Sequence, residues 1–232
     1  MNVIVTGASK GIGKAIALKF AAAGHHLYLC ARNTATLRNT AAEILNKFPD
    51  AKVSYFAADL SKKDELILFA DHCLLQGVPE ILVNNAGVYL PGNVMDEPEG
   101  HLEKMMDTNL YSAYHLTRKL LPAMIKNGKG HIFNICSIAS LDAYDGGGGY
   151  SISKFAMNGL NKNLRHELKN HGIKVTGVFP GAVFTDSWGN FDNSNSRIME
   201  AQDIAHMLFA ASTLSSQAVV DEIIINPQLG PL

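Results

Sequence analysis

Short apolar, β-branched runs alternate with longer amphipathic stretches along this chain, and that alternation restricts the fold more than any single motif. Residues 3–5, 27–30, 53–56, 81–83, 132–135, 175–179 and 219–225 read as strands. Residues near 14–23, 36–47, 64–75, 102–126, 150–170 and 201–211 read as helices. Strands that are nearly continuous apolar runs are buried on both faces, so the helices must cover both sides of a parallel sheet. Right-handed crossovers then give an α/β, doubly wound, Rossmann-like domain with a seven-stranded parallel sheet. No linker or internal repeat interrupts the pattern, so residues 1–232 are expected to form one domain. The 47% hydrophobic content is ample for its core.

In such a sheet, ligands bind beyond the carboxyl ends of the strands. The first strand runs into Thr6-Gly7-Ala8-Ser9-Lys10-Gly11-Ile12-Gly13 and then a helix. Gly7 suits a tight turn, Gly11 a close backbone approach to a ligand, and Gly13 close helix–strand packing. Pyrophosphate would rest on the helix N-terminus, where unpaired N–H groups and the dipole favour an anion. The second strand ends in Ala31-Arg32, where a carboxylate would normally bind a ribose 2′-hydroxyl. Lys10 lies in the glycine loop on the same side. Two cations and no carboxylate suit a 2′-phosphate, so the expected cofactor is NADP(H).

Tyr150 and Lys154 stand at i and i+4 on one expected helix face, with Ser137 upstream. An ammonium beside a phenol favours the phenolate, and such a tyrosine can pass a proton near neutral pH. By itself the pair also fits an ordinary surface helix. The net charge of −1 provides no field for nucleic acid or an anionic membrane. Residue 3 already begins the first strand, and no apolar stretch reaches membrane-spanning length, so a cytoplasmic location is expected. Cys30, Cys73 and Cys136 are far apart and read as buried, reduced thiols; Cys136 beside Ser137 reads as the small end of a strand. The nine histidines show no ligand spacing, so no metal is expected.

Taken together, these motifs resemble the short-chain dehydrogenase/reductase family over nearly the full chain. The likeness rests on the glycine loop, Asp59-Leu60, Asn84-Asn85-Ala86-Gly87, then Asn109, Ser137, Tyr150 and Lys154, and Pro180-Gly181-Ala182-Val183-Phe184-Thr185. The resemblance implies a catalytic set of Asn109, Ser137, Tyr150 and Lys154. It implies cofactor contacts from Gly7, Ser9, Lys10, Gly11, Ile12, Gly13 and Arg32. Asp59 and Leu60 would meet the adenine, with Asn85, Ala86 and Gly87 beyond the fourth strand. Pro180, Gly181, Val183 and Thr185 would meet the nicotinamide carboxamide. Tyr150 would move the proton and Ser137 would steady the substrate oxygen. Lys154 would also hold the ribose, and Asn109 would break its helix and hold a water feeding Lys154.

Substrate contacts are expected from the loops after strands four to six: Tyr89, Leu141, Tyr144, Trp188 and Phe191. Trp188 is either a flat wall for a planar ring or an anchor for its loop. Residues 185–197, with Asn190, Asn193 and Asn195, read as a lid, and the glycines of residues 146–149 as adaptable backbone beside the pocket. Within the family the C-terminal motifs resemble the bacterial sepiapterin reductase type, which implies a small cyclic or aromatic ketone as substrate. An alcohol dehydrogenase or 3-oxoacyl reductase would use the same residues, and a non-catalytic NADP(H)-sensing regulator would need none of the four. The resemblance also implies a homodimer or homotetramer.

Overall fold

Strand β1 (Asn2–Thr6) shows why the sheet has two covers: Val3 and Val5 point to one face and Ile4 to the other, and all three are fully buried. The computed structural model describes residues 1–189 and 191–230. After β1 come β2 (His26–Ala31), β3 (Val53–Ala57), β4 (Ile81–Asn84), β5 (Gly130–Ile135) and β6 (Ile173–Pro180). Two-residue strands β7 (Val183–Phe184) and β8 (Met199–Glu200) pair with each other, and β9 (Glu222–Ile225) closes the main sheet. That sheet is seven-stranded and parallel, in the order β3-β2-β1-β4-β5-β6-β9.

The helices are α1 (Gly11–Ala22), α2 (Thr34–Lys47), α3 (Lys63–Gln76), α4 (His101–Met106), α5 (Ser112–Asn127), α6 (Gly148–Leu168) and α7 (Ala201–Ser212). α1, α2 and α7 cover the face of Val3, Val5, Leu27 and Leu29 through Ile16, Phe20, Ile44 and Leu208. α3, α5 and α6 cover the face of Ile4, Leu82, Ile132 and Val175 through Phe69, Leu120 and Leu164. Each Leu or Phe fully buried here contributes about 2–3 kcal/mol by leaving water. Among the described residues no helix is long and apolar enough to cross a membrane.

Strand order reverses between β1 and β4, which opens a crevice beyond their carboxyl ends. Asn33 caps α2 by accepting from the Thr36 N–H at 3.0 Å, so the chain leaving β2 turns sharply past Arg32.

Three local features differ from the sequence reading. Residues 102–126 are two helices, α4 and α5, joined by a wide π turn at Asp107–Tyr111. The last strand starts at Glu222 rather than 219: the Gly177 N–H makes the first ladder bond to the Asp221 carbonyl, while the Val220 carbonyl before it accepts from the Thr176 hydroxyl instead of a strand N–H. Strands β7 and β8 are too short for a periodicity to reveal.

Candidate active site

Four turns, those after β1 to β4, shape a groove of about 560 Å³. After β1, Gly7 adopts φ +63°, a left-handed conformation that favours glycine. A Cβ at Gly13 would run into the Gly7 carbonyl oxygen, so a glycine here lets α1 start directly beneath the loop. α1 has no side-chain cap and no acidic residue in its first turn, which leaves its amino end to an anion from outside. Thr6 locks this loop to the one after β4. Its hydroxyl donates to the Val83 carbonyl at 3.2 Å and accepts the Asn85 and Ala86 N–H groups, both at 2.9 Å. The Asn85 amide donates back to the Thr6 and Gly7 carbonyls, at 2.9 and 3.2 Å. Thr6 was invisible as a site residue in the sequence; a threonine closing a strand carries no distinguishing local pattern.

Ser9, Lys10, Gly11, Ile12, Arg32, Asp59, Leu60, Asn85, Ala86, Gly87 and Thr185 line the groove. Asn33, Thr36, Ala58, Thr108 and Asp186 line it too and had not been singled out. Asn33 could have been found as an Asx cap directly after the strand-ending Arg32. Lys10 Nζ lies 3.4 Å from Asp186, with both side chains exposed, so this ion pair spans the groove mouth and adds little stability. Asp59 accepts from both the N–H and the hydroxyl of Ser61. Gly13 lies below the groove, Pro180 ends β6, and the N–H of Gly181 donates to the Ile225 carbonyl. Val183 is buried in β7.

Farther along, Asn109, Tyr150 and Lys154 lie close together, and Ser137 follows β5, whose Ile135 carbonyl holds Lys154. Lys154 is buried, and its ammonium donates to the Ile135 carbonyl at 2.8 Å; no carboxylate among the described residues pairs with it. Its Nζ stands 5.8 Å from the centre of the Tyr150 ring. Asn109 sits in the π turn with its amide turned inward. Asn109 Oδ1 accepts the Val88 N–H at 2.7 Å, and Nδ2 donates to the Val88 carbonyl at 3.0 Å and to Ser153 Oγ at 2.9 Å. A Cβ on Gly87 would lie 3.3 Å from Asn109 Oδ1 and 3.9 Å from Lys154 Nζ, so the three meet at one point. Ser137 caps a short 3-10 turn, Ile138–Ser140: its Oγ accepts the Ala139 N–H, and its N–H donates to Ser140 Oγ, each at 3.1 Å. With an Oγ lone pair engaged, the Ser137 proton is the group left to point at a ligand. Burial pushes the Cys136 thiol up to about 11, so this neighbour of Ser137 stays protonated at neutral pH and is no nucleophile.

At the mouth, Tyr89 meets the Tyr150 ring edge-on, with centroids 5.0 Å apart and planes at 81°. Burial, then the neighbouring Tyr89 and Tyr150, push the Tyr144 phenol up, so it remains neutral. Leu141 packs with Ala113, Cys136, Met157 and Phe179 rather than standing clear of the core. Trp188 and Phe191 contact each other at 5.1 Å on the segment between β7 and β8. The same segment is pinned by Asn193, which accepts the Ile198 N–H and donates to the Ile198 carbonyl. Asn190, part of the expected lid, lies outside the described residues. Of the glycines of residues 146–149, Gly146 is left-handed at φ +73° with open space around it, whereas the other three are closely packed: a Cβ at Gly148 would strike the Gly92 carbonyl oxygen, and one at Gly147 would lie 2.6 Å from Ser151 Oγ.

Comparison with known proteins supplies independent findings. Residues 1–196 match the family model described as short chain dehydrogenase. The chain is 36% identical over 239 residues to the sepiapterin reductase of Chlorobaculum tepidum, covering 99% of this chain and 97% of that one. A metagenomic short-chain oxidoreductase solved with NADP is 33% identical with a TM-score of 0.86, covering 98% of this chain and 97% of that one. An alcohol dehydrogenase from the archaeon Thermococcus sibiricus, solved with 5-hydroxy-NADP, is 25% identical with a TM-score of 0.91, covering 98% and 96%.

Proposed function

The chain belongs to the short-chain dehydrogenase family, and from that premise we propose that it is an NADP-dependent oxidoreductase that reduces a small cyclic or aromatic ketone, acting as one domain over residues 1–232. The groove suits NADP(H). The uncapped amino end of α1 is open to the pyrophosphate, and Arg32 and Lys10, which line the same groove, would hold a 2′-phosphate. When bound, NADP(H) supplies the hydride that a carbonyl carbon receives. Ser9, Gly11 and Ile12 would hold the phosphates, with Asp59 and Leu60 at the adenine and Asn85 to Gly87, Pro180, Gly181, Val183 and Thr185 toward the nicotinamide.

The observation that carries the reading is the buried Lys154 ammonium beside the Tyr150 ring, with a backbone carbonyl and no carboxylate as partner. An ammonium taken out of water without a counter-ion is costly, so its position calls for a role. Tyr150 gives its phenolic proton to the carbonyl oxygen, and Lys154 stabilises the phenolate left behind. Ser137 donates to the same oxygen as negative charge develops on it. Asn109 fixes the turn behind Lys154 through Val88 and Ser153.

A sepiapterin-like ketone is the substrate this reading favours, supported by the 36% identical relative and by the aromatic residues Tyr89 and Tyr144 beside Tyr150. Exposed Tyr111, Tyr114, Ile152 and Phe155 beside and along α5 and α6 support a homodimer or homotetramer.

A panel of ketones, with sepiapterin and aryl diketones among them, followed by loss of NADPH absorbance, tests the proposal. Turnover of a planar ketone is expected, with Arg32→Ala raising the KM for NADPH about 10- to 100-fold and leaving that for NADH nearly unchanged. Equal efficiency of the parent enzyme with both cofactors would sink the 2′-phosphate assignment. Absence of turnover with NADPH bound would sink the enzyme reading.

A further inference from the structure

The loop after β4 does not end at the groove. It continues over the site and returns to the amino end of α6, the helix that carries Tyr150 and Lys154. Three hydrogen bonds stitch the two segments together. The Gly92 N–H donates to the Gly146 carbonyl at 3.1 Å, the Gly146 N–H to Asn93 Oδ1 at 2.9 Å, and the Gly149 N–H to Glu97 Oε2 at 3.0 Å. Gly147, the residue before α6, offers no side-chain cap. The first-turn donor is satisfied instead by a carboxylate from a loop 52 residues away in sequence. A carboxylate at that end is also favoured by the helix dipole. Near its start the same loop carries Tyr89, whose ring meets Tyr150 edge-on, and Val88, which Asn109 holds by both backbone groups.

We infer that Glu97 is a positioning residue for the proton donor: it fixes the first turn of α6 and thereby sets where the Tyr150 hydroxyl stands. Tyr150 is the residue directly after the N–H that Glu97 accepts. A helix whose first turn frays moves its early side chains far more than its later ones. Lys154, one turn deeper and tied to the Ile135 carbonyl, stays in place. Loss of Glu97 thus disturbs the proton step and spares the cofactor groove. The packing of Gly148 against Gly92, and of Gly149 against Glu97 and Met105, is the reason a run of glycines precedes Tyr150.

The inference rests on the role proposed for Tyr150, so the test includes Tyr150→Phe alongside Glu97→Ala, Glu97→Gln and Gly149→Ala. Misplacing a reacting group by around an ångström costs up to about 100-fold, so Glu97→Ala is expected to lower kcat by about 10- to 100-fold. The NADPH dissociation constant should be unchanged, and the solvent deuterium isotope effect on kcat should rise as proton transfer becomes limiting. Glu97→Gln keeps an acceptor oxygen and should restore most of kcat. In Gly149→Ala the new methyl would lie 3.0 and 3.2 Å from the two Glu97 oxygens and push them off. Helix propensity favours that substitution while the methyl also presses the flexible end of Met105 at 2.9 Å, so its denaturation midpoint is read beside kcat; with the midpoint held and kcat lost, it carries the test if Glu97→Ala is unstable. A kcat within about twofold of the parent for both Glu97→Ala and Gly149→Ala, with Tyr150→Phe inactive, overturns the strap and leaves the proton donor standing. A Glu97→Gln variant as impaired as Glu97→Ala, or a loss of NADPH affinity parallel to the loss of kcat, also overturns it. An active Tyr150→Phe removes the reading beneath it.

Discussion

The two ends of the site are built from different materials. The groove over β1 to β4 is made of backbone: left-handed Gly7, Gly13 without room for a methyl, and amide groups clamped by Thr6 and Asn85. The mouth is made of side chains on loops, with Tyr89 and Tyr144 more than two-fifths exposed, and the β7–β8 segment proposed to complete it carries Trp188 against Phe191. Backbone cannot be altered by substitution without moving the fold, whereas a loop aromatic can be exchanged at little cost. One end therefore fits a fixed ligand and the other a replaceable one, with Tyr150 and Lys154 at the seam.

The largest effect should appear at that seam. Tyr150→Phe removes one hydroxyl and is expected to lower kcat about 1,000-fold, with NADPH affinity within about twofold by fluorescence titration. A modest loss would show that the seam is not where the chemistry lies. At the rigid end, Gly13→Ala should cost about 3 kcal/mol by overpacking against the Gly7 carbonyl, read as a lowered denaturation midpoint and weakened NADPH binding. If it bound and folded normally, the contrast between the two ends would break.

The rigid sheet should also be the more sensitive to acid. His131 is buried on β5, stacked 3.9 Å from the Phe133 ring and bonded to Thr176, and burial holds its pKa down to about 3. Below pH about 6.5 the unfolded chain protonates this residue and the folded one does not, so stability falls from there toward pH 3. Between pH 7.5 and 5.0 this residue should remove about 2 kcal/mol, and His131→Phe should lose correspondingly less in paired urea titrations. A variant with the same pH slope as the parent would clear His131. The smallest effect belongs to the mouth: Trp188→Ala should shift the preference between planar and aliphatic ketones by about fivefold with no change in midpoint. A collapse in stability would make Trp188 an anchor for its loop rather than a wall.

Much of this was readable in the chain because the signals are local. Apolar strands buried on both faces are continuous runs, the glycine loop sits between a strand and a helix, and Tyr150 and Lys154 are one turn apart. What escaped the sequence depends on meetings across it. Thr6 reaches Asn85 over 79 residues and Glu97 reaches Gly149 over 52, and neither leaves a spacing to recognise. A break of the helix at Asn109 came from family resemblance alone, since an asparagine within a helical pattern reads as a solvated position, and its π form was not legible at all. Gly148 and Gly149 before Tyr150 looked like freedom and are close packing, because the Gly92 backbone and the Glu97 and Met105 side chains they meet lie about fifty residues away in sequence.

The strand order has a consequence for the chain while it is being made. Val3 pairs with Leu27 on one side and with Ile81 on the other. A nascent chain can lay down β1, β2 and β3 early, yet one edge of β1 stays open until β4 leaves the ribosome. At roughly 5–20 residues per second, Pro180 at the end of β6 follows Thr6 by roughly 9 to 35 s. Throughout that interval an unpaired parallel edge is presented to every neighbouring polypeptide, first on β1, then on β4, then on β5. The birth order of the strands thus makes the central sheet a chaperone's concern before it is an enzyme's.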